Sequence, residues 1–161
     1  MKELSKFFRR SKLWETKWLP NPYYWAGNEH DLFSVWLFSL AGRPDLTEKY
    51  SRMILKKQYG LGGSGLPGND DYATMSAWYI FAALGFYPLP STQTYVLGSP
   101  IVRSARIYRR LEEGIIRPMN VRVRGKGWRV ESVSVRGKPR NSVISHRDLS
   151  TPNCVLDFIM Y

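Results

Sequence analysis

The chain has 161 residues, of which 43% are hydrophobic and 14% aromatic, and its net charge is +11. This length matches one domain with a real core, and the composition excludes a disordered chain. A single cysteine, Cys154, excludes an internal disulfide framework. The basic N-terminus lacks the apolar segment of a signal peptide, and the longest apolar runs are too short to span a bilayer, so we expect no membrane association.

The positive charge is concentrated in the last part of the chain. Residues 101–161 contain 13 Lys or Arg and five Asp or Glu, a net +8. Such a surface attracts nucleic acid or another anion through phosphate contacts. Alternating segments such as NVRVRGKGWRV also place arginines on one solvated face of a strand, and no nucleic-acid recognition signature is present. A nucleic-acid partner is therefore disfavoured, but it stays open as an alternative.

The first part of the chain predicts a loop and then helices. PNPYYW predicts an extended loop because Pro20 and Pro22 keep the residues before them out of the helical region. A first helix is expected with Asp31 as a plausible N-cap and Gly42 at its end. A second helix is expected to begin at Pro44 and to continue through KYSRMILKKQY.

A third helix is predicted over ATMSAWYIFAALG. Asp71 and Thr74 are both candidate caps at its beginning, and Gly85 marks its end. Almost every position of this helix is apolar, so other elements should surround it. One chain of this size supplies too few helices to do so, and we expect neighbours that this sequence does not contain.

Short alternating segments follow from Tyr95 onward, and they predict strands. These segments are TYVLG, SARIYRR, NVRVRG, WRVESVSVRG, SVISH and CVLDFIMY. Gly-Lys-Gly at 125–127 and Gly-Lys-Pro at 137–139 punctuate them as turns, which indicates an antiparallel sheet. Helices followed by strands predict the α+β class.

Two acid-bearing loops each precede an apolar helix. Asp70 and Asp71 lie in GLPGNDDYATMSAWY, and Glu29, His30 and Asp31 lie in WAGNEHD. The local pattern alone favours a helix cap, because the free N–H groups and the dipole stabilise a carboxylate there by about 0.3–1 kcal/mol. The alternative is a carboxylate that deprotonates water or binds a cation. In helical barrels, loops of this kind converge on the rim where substrates bind.

Several segments together resemble a known family. GNEHDLF, YGLGGSGLPGNDDYATMSAWYIFAALGFYPLP and YVLGSP are similar to the C-terminal part of glycoside hydrolase family 92, the calcium-dependent exo-α-mannosidases. The tail VESVSVRGKPRNSVISHRDL is similar to the closing strands of that family. The resemblance covers about residues 21–161. It implies an inverting enzyme that hydrolyses terminal α-mannosyl residues of glycans, with a β-sandwich packed on an (α/α)6 toroid around a bound Ca²⁺.

The resemblance also implies roles for individual residues. Asp71 matches the catalytic base, and Asp70 beside it is a second catalytic candidate. Asn28 and Glu29 match the loop at the sugar and calcium site, so they are candidate ligands of both, and oxygen donors of this kind suit Ca²⁺. Asn69 and Trp25 are further substrate-binding candidates. We expect Glu29 and Asp71 to lie within about the breadth of a calcium site, at the same end of two adjacent helices.

Three positions depart from the pattern of the family. His30 replaces a proline, and Phe33 replaces a histidine, which puts contacts to the leaving-group sugar in doubt. Ala73 stands where the family usually has glycine, and this change strains the turn if the position needs a positive φ.

The resemblance divides the chain into three parts. Residues 1–20 form a basic segment of unclear origin, 21–92 an incomplete (α/α)6 toroid, and 93–161 a C-terminal antiparallel β region. The general-acid glutamate, the N-terminal β-sandwich and most of the toroid would lie upstream, and nothing in 1–20 resembles them. We therefore expect a fragment or truncated product that is inactive alone and that needs the upstream domain for stability. Family members are usually secreted or periplasmic, whereas this sequence shows no signal peptide.

One further alternative concerns the aromatic side chains around the first acid-bearing loop. In a non-catalytic carbohydrate-binding module, Trp25, Tyr23 and Tyr24 would stack on sugars without hydrolysis.

Overall fold

The structure is a computed structural model that describes residues 1–11, 23–110, 114 and 116–161. Its helices are α1 (Lys2–Arg10), α2 (Glu29–Leu32), a 3-10 turn (Ser34–Trp36), α3 (Leu37–Leu40), α4 (Pro44–Gln58), α5 (Thr74–Leu84) and α6 (His146–Leu149). Its strands are β1 (Phe86–Pro88), β2 (Thr94–Leu97), β3 (Ser104–Arg110), β4 (Ile116–Gly125), β5 (Val130–Val135), β6 (Lys138–Arg140), β7 (Val143–Ser145) and β8 (Cys154–Met160). The predicted α+β class is confirmed. Pro20 and Pro22, which predict the extended loop, lie outside the described residues.

The second and third predicted helices are confirmed as α4 and α5. Pro44 occupies the first turn of α4, where its missing N–H costs no helical hydrogen bond. Gly85 ends α5 in the left-handed region, with φ of +85°. A Cβ on Gly85 would lie 2.7 Å from Cδ of Pro100, so this position needs glycine both for its φ and for its close packing.

The first predicted helix is divided into three short pieces, and Asp31 is not its N-cap. α2 begins at Glu29, so Asp31 lies within the helix and Asn28 precedes it. The hydroxyl of Ser34 donates to the carbonyl of Asp31 at 2.6 Å, at the point where α2 gives way to the 3-10 turn. A side-chain bond of this kind competes with the helical backbone ladder and bends the helix.

Helix α1 was not predicted, although its apolar residues have helical spacing. Leu4, Phe7 and Phe8 of this helix contact the helical core, and Phe8 is fully buried. The ring of Phe8 stacks on that of Tyr24, with centroids 4.5 Å apart, and lies 5.3 Å from that of Phe38. The N-terminal segment is therefore part of the packed structure.

The strands form two sheets. β1, β2 and β7 make a three-stranded antiparallel sheet, and the other sheet has the order β3-β4-β8-β5-β6. All neighbours in the larger sheet are antiparallel, as predicted, except β4 and β8, which run parallel from Met119 beside Cys154 to Gly125 beside Met160. The alternating pattern did not indicate this parallel pair.

One predicted turn lies slightly earlier than expected. Arg136 and Gly137 have φ of 51° and 76°, so they form the turn, and Lys138 already begins β6. Neither β6 nor β1 was predicted. Both strands contain a proline and have only three residues, which makes their sequence signal weak.

Two hydrophobic clusters correspond to the helices and to the strands. Trp36 and Trp78 are among the largest residues of the helical cluster, and Leu156 and Phe158 belong to the strand cluster. Polar contacts join the two parts: the hydroxyl of Ser39 donates to the carbonyl of Leu97 at 3.2 Å. None of the helices in the described part of the chain is long and apolar enough to cross a membrane.

Candidate functional site

The loop that contains Trp25, Asn28 and Glu29 is held by its own hydrogen bonds. The backbone N–H of Trp25 donates to the Asp31 carboxylate at 3.0 Å, and the N–H of Asn28 donates to the Trp25 carbonyl at 3.1 Å. Burial raises the pKa of Asp31, and the hydrogen bond from Trp25 opposes this rise. Asp31 therefore fixes the shape of the loop, a role that the sequence did not indicate.

Asp70 and Asp71 are adjacent in the chain, but they have different roles. The Asp70 carboxylate accepts hydrogen bonds from the backbone N–H of Ser76 at 2.9 Å and from the Ser76 hydroxyl at 2.5 Å. These bonds hold the pKa of Asp70 below its ordinary value, with the Ser76 hydroxyl as the largest cause. Asp70 therefore caps the first turn of α5 from outside the helix, and neither of the predicted caps, Asp71 and Thr74, does so through its side chain.

Asp71 uses its backbone instead. Its carbonyl accepts hydrogen bonds from the N–H and the hydroxyl of Thr74, at 3.2 and 2.7 Å, while the residue as a whole is exposed. The predicted base thus lies at an exposed position of the loop, with its main chain held by Thr74.

The turn between Asp71 and α5 is strained. Tyr72 and Ala73 both have positive φ, 54° and 62°, and the side chain of Tyr72 is fully exposed. The left-handed region costs a residue with a Cβ about 1–2 kcal/mol. The conditional expectation for Ala73 is confirmed: the position adopts the conformation that glycine favours.

Two glycines bring the acid-bearing loops into backbone contact. A Cβ on Gly68 would lie 2.8 Å from the Gly27 carbonyl oxygen, and one on Gly27 would lie 2.7 Å from the carbonyl oxygen of Pro67. Behind the loops, the indole N–H of Trp78 in α5 donates to the Leu32 carbonyl in α2 at 2.8 Å. The predicted convergence of the two loops is therefore present in the fold.

The individual candidates differ in exposure. Trp25, Asn28 and Glu29 are half-buried on the first loop. On the second loop, Asn69 is exposed and Asp70 is half-buried. The expected closeness of Glu29 to Asp71 stays a prediction.

Oxygen donors for a cation are present but few. The side-chain oxygen of Asn28 lies 3.3 Å from Nδ1 of His30, and Glu29 follows it directly in the chain. Within the described residues, no three His, Cys, Asp or Glu side chains cluster as a metal site requires. Since Ca²⁺ takes about six to eight oxygen ligands, this loop fits one part of a calcium site and leaves the remainder to other groups.

Phe33, one of the three departures from the family pattern, has a structural explanation. The Phe33 ring packs against the helical core and lies 6.3 Å from the Tyr87 ring, so an apolar core contact replaces the polar histidine of the family pattern.

Tyr24, a candidate for stacking on sugars, is fully buried and therefore offers no surface to a ligand. A carbohydrate-binding module built on Tyr24 is therefore wrong, whereas Trp25 stays a candidate.

Several arginines of the larger sheet have polar partners, and two of them form ion pairs. Arg124 pairs with Asp157 at 2.7 Å, and Arg140 pairs with Asp148. The Arg106 guanidinium donates to the side-chain oxygen of Asn120 at 3.1 Å. These contacts fit a solvated strand face.

Comparisons with known proteins agree with this arrangement. The family model described as the glycosyl hydrolase family 92 catalytic domain matches residues 1–160, so the likeness extends over the N-terminal segment as well. A protein of Arthroderma benhamiae described as an uncharacterized secreted glycosidase is 30% identical over 83 residues, which cover 52% of this chain and 11% of that protein.

Solved structures match over most of the chain. The family GH92 α-mannosidase BT3965 from Bacteroides thetaiotaomicron, solved with mannoimidazole, has a TM-score of 0.81 at 28% identity, over 99% of this chain and 22% of its own. The inverting mannosidase BT2199 from Bacteroides thetaiotaomicron VPI-5482 has a TM-score of 0.70 at 27% identity, over 83% of this chain and 18% of its own. The chain thus spans about a fifth of these structures.

Proposed function

The chain belongs to glycosyl hydrolase family 92, and we propose that it supplies the base-bearing part of an inverting α-mannosidase that acts on mannose-containing glycans. One observation carries the proposal: the backbone contact between Gly27 and Gly68 brings the two acid-bearing loops together. Two loops with acidic side chains at one end of adjacent helices form a place where a sugar can meet a carboxylate and a cation.

Asp71 acts as the general base in this proposal. Its exposed carboxylate can accept a proton from a water molecule that attacks the anomeric carbon. Asp70 positions it, since the bonds to Ser76 fix the loop on the first turn of α5. The same bonds occupy the Asp70 carboxylate, which makes Asp71 the better base of the two.

Inverting hydrolysis needs a second carboxyl group. A carboxylic acid must protonate the leaving oxygen from the other side of the sugar, about 6.5–9.5 Å from the base. The proposal assigns that acid to a part of the family domain outside this sequence. The chain alone is then expected to hydrolyse no α-mannoside at an enzymatic rate.

Ca²⁺ belongs to the proposal as a partner of the first loop. Asn28 and Glu29 would hold it through an amide and a carboxylate oxygen. A bound calcium ion would polarise sugar hydroxyl groups and fix the orientation of the ring. Trp25 and Asn69, on the two sides of the loop contact, would bind the sugar itself.

The helices also fit a place within a larger toroid. Leu37 and Leu40 of α3 and Ile80 of α5 are exposed large apolar side chains, with Ile80 58% exposed. We propose that residues 21–92 complete an (α/α)6 toroid and that 93–161 close it as the C-terminal β region. The missing part of the domain would then cover these side chains and stabilise the chain.

A chimera tests the proposed function. Residues 1–161 would replace the matching part of the Bacteroides α-mannosidase BT3965, since the likeness includes α1, and an aryl α-mannoside would be the substrate. We expect turnover with release of β-mannose, and a loss of about 10²–10⁴-fold in kcat for Asp71→Asn. Glu131→Gln, at an exposed position of β5, is the matched control.

Two results would count against the proposal. Full activity in the Asp71→Asn chimera would exclude Asp71 as the base. Strong turnover by the isolated chain that is lost in Asp71→Ala would show that no acid from outside the sequence is needed.

A further inference from the structure

A cavity of about 940 Å³ lies between α5, the two sheets and α6. Its wall is partly apolar and partly basic, and its described residues are Phe81, Phe86, Gln93, Tyr95, Ile107, Arg109, Arg110, Arg117, Met119, His146, Arg147, Leu149 and Ser150. Four of these side chains are arginines, and none of the wall residues that the structure describes has a carboxylate. A cavity of this size holds a small organic molecule, since ligand pockets usually have about 300–1,000 Å³.

The guanidinium group of Arg109 is the most unusual group in this wall. All three of its nitrogen atoms are buried, and within the described part of the chain none has a hydrogen-bond partner. A buried charge without a partner is costly, so such groups are normally paired. The five N–H donors of this group therefore have no acceptor among the described residues.

The neighbouring strand increases this positive charge. Arg117 of β4 lies directly opposite Arg109 of β3 in the antiparallel register. Like charges at directly opposed positions of a sheet destabilise the pair. An anion between the two guanidinium groups would turn this repulsion into two attractive contacts.

A second unsatisfied donor lines the same cavity. The hydroxyl of Ser150, just after α6, is buried and also lacks a partner among the described residues. The hydroxyl of Tyr95 lies 2.8 Å from Nδ1 of His146 on the same wall. Two independent polar groups at one cavity, on β3 and after α6, thus have no partner in the part of the chain that the structure describes.

The nearest acidic side chain on α6 is already engaged. Asp148 forms an ion pair with Arg140 and accepts hydrogen bonds from the N–H and hydroxyl of Ser145 in a capping box. It is therefore not free to neutralise Arg109, and the positive charge of the cavity stays available to a ligand.

We propose that this cavity is a binding site for an oxyanion, a phosphate or carboxylate group, carried on a body with an apolar face. Arg109 and Arg117 bind the anionic group, and the hydroxyl of Ser150 donates to it. Phe81 and Met119 contact the apolar face of the ligand. This inference does not depend on the proposed mannosidase function, because none of these residues belongs to the acid-bearing loops.

Isothermal titration calorimetry on the full chain tests the proposal with three probes that share an aromatic ring. Phenyl phosphate and benzoate are the anionic probes, and benzyl alcohol is the neutral one. We expect at least one anionic probe to bind, with at least about tenfold weaker binding in Arg109→Gln, as expected for a charge-assisted contact. Arg106→Gln, on the same strand but exposed and bonded to Asn120, is the matched control and should bind as the native chain does.

The relative affinity of the two anions shows which anionic group the site prefers, phosphate or carboxylate. Tighter binding of phenyl phosphate assigns the site to phosphate ligands, and tighter binding of benzoate assigns it to carboxylates. If Arg109→Gln does not fold, Ser150→Ala provides the second variant, and it should also weaken anion binding.

Three results would overturn the proposal. Equal binding of benzyl alcohol would show an apolar pocket only, and no binding of either anion at millimolar concentration would show that no anion site exists. Glu112 and Glu113 follow β3 in the sequence and lie outside the described residues. Binding that appears only in the double variant Glu112→Gln, Glu113→Gln would show that the chain fills the site with its own carboxylates.

Discussion

The contact between Gly27 and Gly68 makes a sharp stability prediction for Gly68→Ala. The new methyl carbon would lie 2.8 Å from the carbonyl oxygen and 2.9 Å from the Cα of Gly27. Both are backbone atoms, so no flexible side chain can move aside. The two loops must therefore separate by about half an ångström to reach ordinary van der Waals contact.

The size of the effect follows from this overlap. Overpacking of a tight contact by one methyl group costs about 1–3 kcal/mol. For a chain of this length, each kcal/mol lowers Tm by about 2–4 °C. Gly63→Ala is the matched control, because a Cβ at Gly63 meets nothing within 4 Å and the position needs no positive φ. The control should be neutral or more stable by about 0.4–1 kcal/mol.

Urea unfolding followed by tryptophan fluorescence measures the difference. We expect Gly68→Ala to lower the midpoint while the m-value stays unchanged. If Gly68→Ala is as stable as Gly63→Ala, the two loops do not touch in solution. The convergence of the acid-bearing loops, and with it the main support for the proposed function, would then be lost.

Three further predictions concern single side chains. Ala73→Gly should stabilise the chain by about 0.5–1 kcal/mol, because relief of the left-handed strain exceeds the backbone entropy of glycine. Ala77→Gly, inside α5, should instead destabilise the chain by about 1 kcal/mol. Thermal unfolding of both variants checks the opposite signs. Trp78→Phe should cost about 1–3 kcal/mol in urea unfolding, because the buried Leu32 carbonyl loses its donor; an unchanged midpoint would contradict this. The pKa of Asp148 lies below its ordinary value of 3.8, so its contribution to stability is present above pH 3.8 and is lost as pH falls through the folded-state pKa. Asp148→Asn should therefore be less stable than the native chain near pH 7, and the two should become equally stable in acid. A stability difference that does not depend on pH would contradict this.

The longer helices could be predicted because their signals are local. Pro44 begins α4 and Gly85 ends α5, and each residue acts through its own backbone conformation. The break after α2 could not be read in the same way. It depends on the bond from the Ser34 hydroxyl to the Asp31 carbonyl, and the sequence pattern does not distinguish this from an ordinary helical serine.

The sequence predicted which loops form the candidate site, but it did not predict the different roles of Asp70 and Asp71. The two acid-bearing loops could be recognised, but the capping role of Asp70 depends on Ser76, six residues later. A capping motif at ordinary spacing would have favoured Asp71 or Thr74. The position of Arg109 did have a sequence signal that was missed, because the two-residue period of β3 places it on the partly buried face with Ala105 and Ile107.

The position of β8 has a consequence for the order in which the sheet can assemble. β3 and β4 form one hairpin and β5 and β6 form another, and each can pair locally. β8 lies between β4 and β5, so it is the strand that joins the two hairpins. During synthesis the inner edges of the two hairpins, at β4 and β5, therefore stay unpaired until Cys154–Met160 has left the ribosome and pairs with both strands.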